Sequence, residues 1–146
     1  MKLDLLQSLD SLKLKNESGN TFVWDPCRKK WVAFTPEEMI RQLYMEYLIR
    51  QHSIPIHKIQ VEKQIKVGLK LKRFDVLVYD RALKPFMVIE CKSPDHPLDE
   101  KTASQVVRYN LEIQAPYQVI VNGYEQLIFM KNVNQWNAIE SFPSYG

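Results

Sequence analysis

Arg73-Phe74-Asp75-Val76-Leu77-Val78-Tyr79 and Phe86-Met87-Val88-Ile89-Glu90-Cys91-Lys92 decide the fold. Each run is apolar on both faces, as a strand covered on both sides must be. The polar connection from Asp80 to Pro85 is short enough for the two to pair antiparallel. Three residues break the core pattern. Asp75 sits inside the first run, and Glu90 and Lys92 close the second. Glu90 and Lys92 are two apart, so their side chains share a sheet face. Carboxylates and lysines are rarely buried unless they are paired or hold a metal. From the spacing alone two readings stand: an ion pair at a strand end, or a site.

Upstream, Ile59, Val61, Ile65 and Val67 alternate with polar residues, which predicts a strand with one wet face. Before it, Thr35-Pro36-Glu37-Glu38 opens a helix with an N-cap, Pro at N1 and Glu38 completing a capping box. Ile40, Leu43, Tyr44, Tyr47 and Leu48 form its apolar stripe, and Ser53-Ile54-Pro55 ends it near Gln51 or His52. Glu37 falls at the stripe margin and Glu38 nearly opposite. Downstream, Ser93-Pro94-Asp95-His96-Pro97 is irregular. A helix is expected from about Asp99 to Gln114, striped by Ala103, Val106, Val107, Leu111 and Ile113. Tyr117 to Val121 and Tyr124 to Met130 read as strands joined by an Asn122-Gly123 hairpin turn. Residues 1–34 read as an N-terminal β arm packed on the core, 35–131 as the core, and 132–146 as a tail without a pattern.

The chain has 146 residues, 45% hydrophobic and 25% charged. That suits one globular domain of mixed α/β (α+β) class. No run approaches the ~18 apolar residues of a membrane span. Cys27 and Cys91 make neither a disulfide framework nor a four-ligand zinc site, so a reduced, cytoplasmic protein is expected. Net charge is only +3, but Lys58, Lys63, Lys66, Lys70, Lys72 and Arg73 stand against Glu62 alone between His57 and Arg73. Arg28-Lys29-Lys30 adds a second cluster. These basic segments read either as solvated faces or as a surface for phosphates.

Asp75, then Glu90-Cys91-Lys92, falls on the second and third strands of a helix, three strands, helix, strand order. This arrangement resembles the PD-(D/E)xK nuclease superfamily. Gln105-Val106-Val107-Arg108-Tyr109 is similar to the Q-x-x-x-Y motif of its subgroup with the RecB-type nuclease domains and type I restriction R subunits. Asp25-Pro26-Cys27-Arg28-Lys29-Lys30-Trp31-Val32-Ala33-Phe34-Thr35-Pro36-Glu37-Glu38, Arg41-Gln42 and Val61 to Val67 resemble the N-terminal domain family of type I restriction enzyme R proteins. The similarity covers about residues 22–131.

The resemblance implies a restriction-endonuclease-like αβββαβ core with a mixed central sheet flanked by helices. It implies a Mg²⁺-dependent deoxyribonuclease, endonuclease ahead of exonuclease, with Mn²⁺ as substitute. Asp75, Glu90, Lys92, Gln105 and Tyr109 are the candidate catalytic residues. Asp75, Glu90, the backbone carbonyl of Cys91 and Glu37 are the candidate metal ligands. Lys66, Lys70, Lys72, Arg73 and Arg108 are candidate contacts to nucleic acid. Carboxylates suit Mg²⁺ as hard oxygen donors, and a lysine beside them can position a water and stabilise developing charge. DNA is the expected partner, with a homodimer or other restriction or repair subunits left open. A type I R subunit continues into helicase motors, which 146 residues do not hold, so translocation is not expected of this chain.

A catalytically silent nucleic-acid-binding module on the same fold is the competing reading. The Cys91 side chain is expected in the core. His52, His57 and His96 form no ligand spacing, and Trp24, Trp31 and Trp136 read as packing residues.

Overall fold

A computed structural model describes all residues, 1–146. After a 3-10 helix at Leu6–Ser11 come three short strands, β1 (Leu14–Glu17), β2 (Asn20–Asp25) and β3 (Lys30–Ala33), as an antiparallel sheet. Helix α1 (Pro36–His52) follows, then β4 (Ile59–Val67), β5 (Lys70–Tyr79), β6 (Pro85–Cys91), α2 (Glu100–Tyr109), β7 (Tyr117–Val121), β8 (Gln126–Asn132) and β9 (Gln135–Ile139). Strands β4 to β9 lie in chain order in one sheet. Only β6 and β7 run parallel, because α2 crosses over between them. The expected order of helix, three strands, helix and strand, on a mixed sheet, is the one observed. No helix is long and apolar enough to cross a membrane.

Helix α1 starts as its sequence dictates. The Thr35 hydroxyl accepts the Glu38 N–H at 3.1 Å, and Ser53 ends the helix in the left-handed region at φ 54°. The stripe residues Ile40, Leu43, Tyr44 and Leu48 are buried in the main core with Val76, Val78, Ile89, Cys91 and Val119. The capping-box expectation needs correction. The Glu38 carboxylate does not turn back on the cap; it accepts from Arg28 Nη2 at 2.8 Å and Gln42 Nε2 at 3.0 Å. Glu38, Arg41 and Gln42 are all buried. The N-terminal sheet is the reason. Val23 and Asp25 are fully buried, and the Cys27 sulfur lies 3.6 Å from that of Met45, so α1 is covered on the side that its polar residues would otherwise show to water.

Helix α2 begins at the Asp99 cap, whose carboxylate accepts the Thr102 N–H at 2.8 Å. It stops at Tyr109, short of the expected Gln114. Asn110 closes it, and the chain then drops to bury Ile113 and Ala115 against Phe74, Leu77 and Val88 on the second face of the sheet. A continued helix would carry Ile113 away from that cluster. Strand β8 starts at Gln126 and not at Tyr124, because Asn122 to Glu125 are spent on the turn. There the Asn122 side chain accepts the N–H groups of Tyr124 and Glu125, each at 3.1 Å. Gly123 has φ 101°, and a Cβ there would meet Ile40 Cδ1 at 2.8 Å, so the turn requires glycine. Beyond residue 131 the chain is not patternless: β9 pairs along β8, Phe142 stacks on His52, and the Tyr145 hydroxyl donates to the Tyr79 carbonyl at 2.6 Å.

Candidate active site

The register of β5 and β6 ends with Val76 opposite Ile89, so one further step sets Asp75 beside Glu90. Val76, Ile89 and Cys91 face the main core, while Leu77 and Val88 face the second cluster. Strand alternation therefore turns Asp75 and Glu90 to the α2 side of the sheet. There Asp75, Glu90 and Lys92 line one cleft of about 500 Å³ with Glu62, Arg73, His96, Thr102, Gln105, Val106, Tyr109 and Asn110. All five residues expected to be catalytic border this space.

Asp75 Oδ2 accepts the Cys91 N–H at 2.8 Å, and its Oδ1 lies 4.0 Å from Arg41 Nη2. Lys92 Nζ lies 3.6 Å from Glu90 Oε1. Burial pushes the Glu90 carboxyl up to about 7, and the Asp75 charge adds to this, while the Lys92 ammonium works against it and Glu37 with it. Burial beside a second carboxylate thus favours the protonated form of Glu90. The Cys91 thiol is buried in the main core, as its strand position requires.

Behind the cleft lies a charge network that the sequence did not reveal. Arg28 pairs with Asp25 at 2.5 Å and with Glu38 at 2.8 Å. Arg41 lies 3.6 Å from Glu38, 3.2 Å from Glu62 and 4.0 Å from Asp75, with its Nε and Nη1 atoms buried and without a hydrogen-bond partner. Glu62 also pairs with Arg73 at 2.5 Å. Burial would raise the Glu62 carboxyl, but Arg73 and Arg41 together hold it below its ordinary value. The available signals were thin: Arg41 stands between apolar stripe positions, and Glu62 is the lone acid of a basic segment.

The remaining candidates separate. Gln105 and Tyr109 share the face of α2 that borders the cleft. The Lys72 ammonium donates to the Tyr109 carbonyl and sits 4.6 Å from its ring centroid, so it is engaged with α2 beside the cleft. Arg73 lines the cleft, whereas Lys66, Lys70 and Arg108 are exposed outside it. Glu37 is exposed and outside the cleft wall. No three His, Cys, Asp or Glu side chains converge as a ready-made metal cage. His96 borders the cleft with its Nε2 3.4 Å from the Thr102 hydroxyl. Trp24 and Trp31 pack edge to face at 5.5 Å, and Trp136 packs against the second cluster.

Residues 36–143 match the family described as type I restriction enzyme R protein N terminus. The chain belongs to that family. The match begins at the first residue of α1 and runs beyond β9, so the R-protein N-terminal region takes in α1, the six-stranded sheet and α2 but not the sheet β1–β3. It thus starts later and ends later than the 22–131 span expected. No curated protein matches the chain.

Proposed function

We propose that this R-protein N-terminal domain is a Mg²⁺-dependent nuclease of PD-(D/E)xK type that hydrolyses DNA phosphodiester bonds. The observation that carries the reading is the shared cleft: Asp75 and Glu90 from two strands, with Lys92 just past the end of the second, meet Gln105 and Tyr109 from α2 across one space. The donor set fits a hard divalent cation. Asp75 Oδ1 accepts no hydrogen bond, and Glu90 has only the Lys92 ammonium, at 3.6 Å. Mg²⁺ is usually held by one or two carboxylates, with water and substrate phosphate completing its shell, so two carboxylates without a third converging on them suit it.

Asp75, Glu90 and the Cys91 carbonyl would hold the ion, which supplies charge neutralisation at the scissile phosphate when bound. The Asp75 bond to the Cys91 N–H keeps the two strands' ligands in fixed relation. The Lys92 ammonium would orient the attacking water and offset negative charge developing on the phosphate oxygens. Gln105 and Tyr109, one helical turn apart, would hold the sugar–phosphate backbone against the strands. Glu37, exposed outside the cleft wall, would act on this site through its charge on Glu90.

The test is cleavage of single-stranded, duplex and branched DNA with Mg²⁺ or Mn²⁺, with Lys92→Ala as control. Metal-dependent cleavage lost in the variant supports the nuclease. Binding without cleavage on every form, in both metals, replaces it with the silent module.

A further inference from the structure

The β4–β5 hairpin runs past the sheet. Strand β6 pairs with β5 only from Val76 onward, so 63–67 and 70–74 form a free two-stranded ribbon. Its five cross-strand pairs extend about 17 Å from the cleft. The ribbon starts at Glu62, a non-glycine residue in the left-handed region at φ 52°. Below that point Ile59, Val61, Val76 and Val78 face the main core. Above it Ile65 and Phe74 turn to the second cluster instead. Lys72, fixed at Tyr109, adds a polar tether on the same side.

The other face stays open to solvent, and at its base Arg73 borders the cleft. The register pairs Gln64 with Arg73 and Lys66 with Leu71, so these four side chains share one face, and all four are exposed. Leu69 at the tip is 97% exposed. Residues 63–74 carry Lys63, Lys66, Lys70, Lys72 and Arg73 and no acid. A basic ribbon without a carboxylate matches a polyanion. Two strands about 4.8 Å apart fit a B-DNA major groove about 12 Å wide.

We infer that the Gln64, Lys66, Leu71, Arg73 face of this ribbon enters the major groove of a DNA duplex whose backbone lies in the Asp75–Glu90 cleft. The inference rests on the nuclease reading for its occupant. A Gln amide can pair with adenine N6 and N7, and a guanidinium with guanine O6 and N7. Arg73 keeps donors beyond the one given to Glu62. Leu71 offers an apolar contact to a thymine methyl. Lys66 reaches guanine or the groove-edge phosphate.

The experiment measures anisotropy of the full chain on a mixed-sequence duplex without divalent metal. A second duplex carries glucosylated 5-hydroxymethylcytosine for cytosine, which fills the major groove and leaves the minor groove and phosphates alone. The expected result is binding about tenfold weaker on the glucosylated duplex. The neutral double substitution Gln64→Ala with Leu71→Ala should bind the plain duplex about as weakly as the parent binds the glucosylated one, with its salt dependence unchanged because no charge is removed. Both positions are exposed, so a melting curve matching the parent confirms that the variant folds. Equal parent affinity for the two duplexes overturns the ribbon's place in the groove and leaves the nuclease reading standing. No binding to either duplex overturns both.

Discussion

Asp75 Oδ2 accepts a 2.8 Å hydrogen bond from the backbone N–H of Cys91, the residue that separates Glu90 from Lys92. One side chain of β5 is thereby tied to the last residue of β6, between the two charged residues. Loss of that bond would let the strand ends slide while leaving every charge present.

Lys92→Ala should lower turnover by about 10²-fold or more, the usual worth of a positioned proton-handling or charge-stabilising group. DNA affinity should stay within about twofold, because affinity comes from many dispersed phosphate contacts. Single-turnover cleavage alongside equilibrium binding separates the two quantities. A variant that loses both equally would make Lys92 a binding residue.

Mg²⁺ should raise the melting temperature of the parent chain in the presence of uncleavable DNA, since a ligand bound only by the native state stabilises it. Asp75→Asn combined with Glu90→Gln should abolish the rise. Thermal melts over a range of Mg²⁺ provide the measurement. An equal rise in the double variant would place the ion elsewhere.

The metal-free chain should show a defined pH dependence through Glu90. Its carboxyl is pushed from 4.5 up to about 7, chiefly by burial, so the native state holds this proton more tightly than the unfolded one. The contribution is full below about pH 4.5, declines as pH rises towards 7 and is gone above it. Glu90→Gln keeps the neutral form at all pH. It should leave the melting temperature near the parent's at pH 4.5 and raise it by a few degrees at pH 8.

Arg41→Met should destabilise the fold by about 3 kcal/mol, because it leaves Glu38, Glu62 and Asp75 without their shared buried counter-charge. Urea unfolding at pH 7 measures it. Arg41→Met with Glu38→Gln should recover part of the loss, as removing both members of a buried pair costs less than removing one.

The cleft was legible in the sequence because a buried strand tolerates few charges, so Asp75, Glu90 and Lys92 stood out from the apolar residues around them. Gln105 and Tyr109 were legible through helical spacing. The network behind the cleft was not. A polar face on α1 looks solvated unless the covering sheet is known, and nothing in Glu38 or Arg41 announces β1–β3. Glu62 hid because one residue in a left-handed conformation leaves no mark on an alternating pattern. Strand β9 hid because an edge strand exposed along most of its length needs few apolar residues: only Trp136 and Ile139 mark it as packed. The stop of α2 at Tyr109 was set by where Ile113 had to go, which is a tertiary demand.

The sheet β1–β3 lies outside the residues shared with the family, yet it delivers Arg28 to Glu38 and covers Gln42 and Met45. A fragment trimmed to 36–143 would keep every cleft residue and lose the cation that holds Glu38, baring one flank of α1. The residues that line the cleft are therefore fewer than those that keep α1 covered and its buried charges paired. An exchange of domains between relatives must move the first thirty-five residues with the rest, or supply another cover of the same charge.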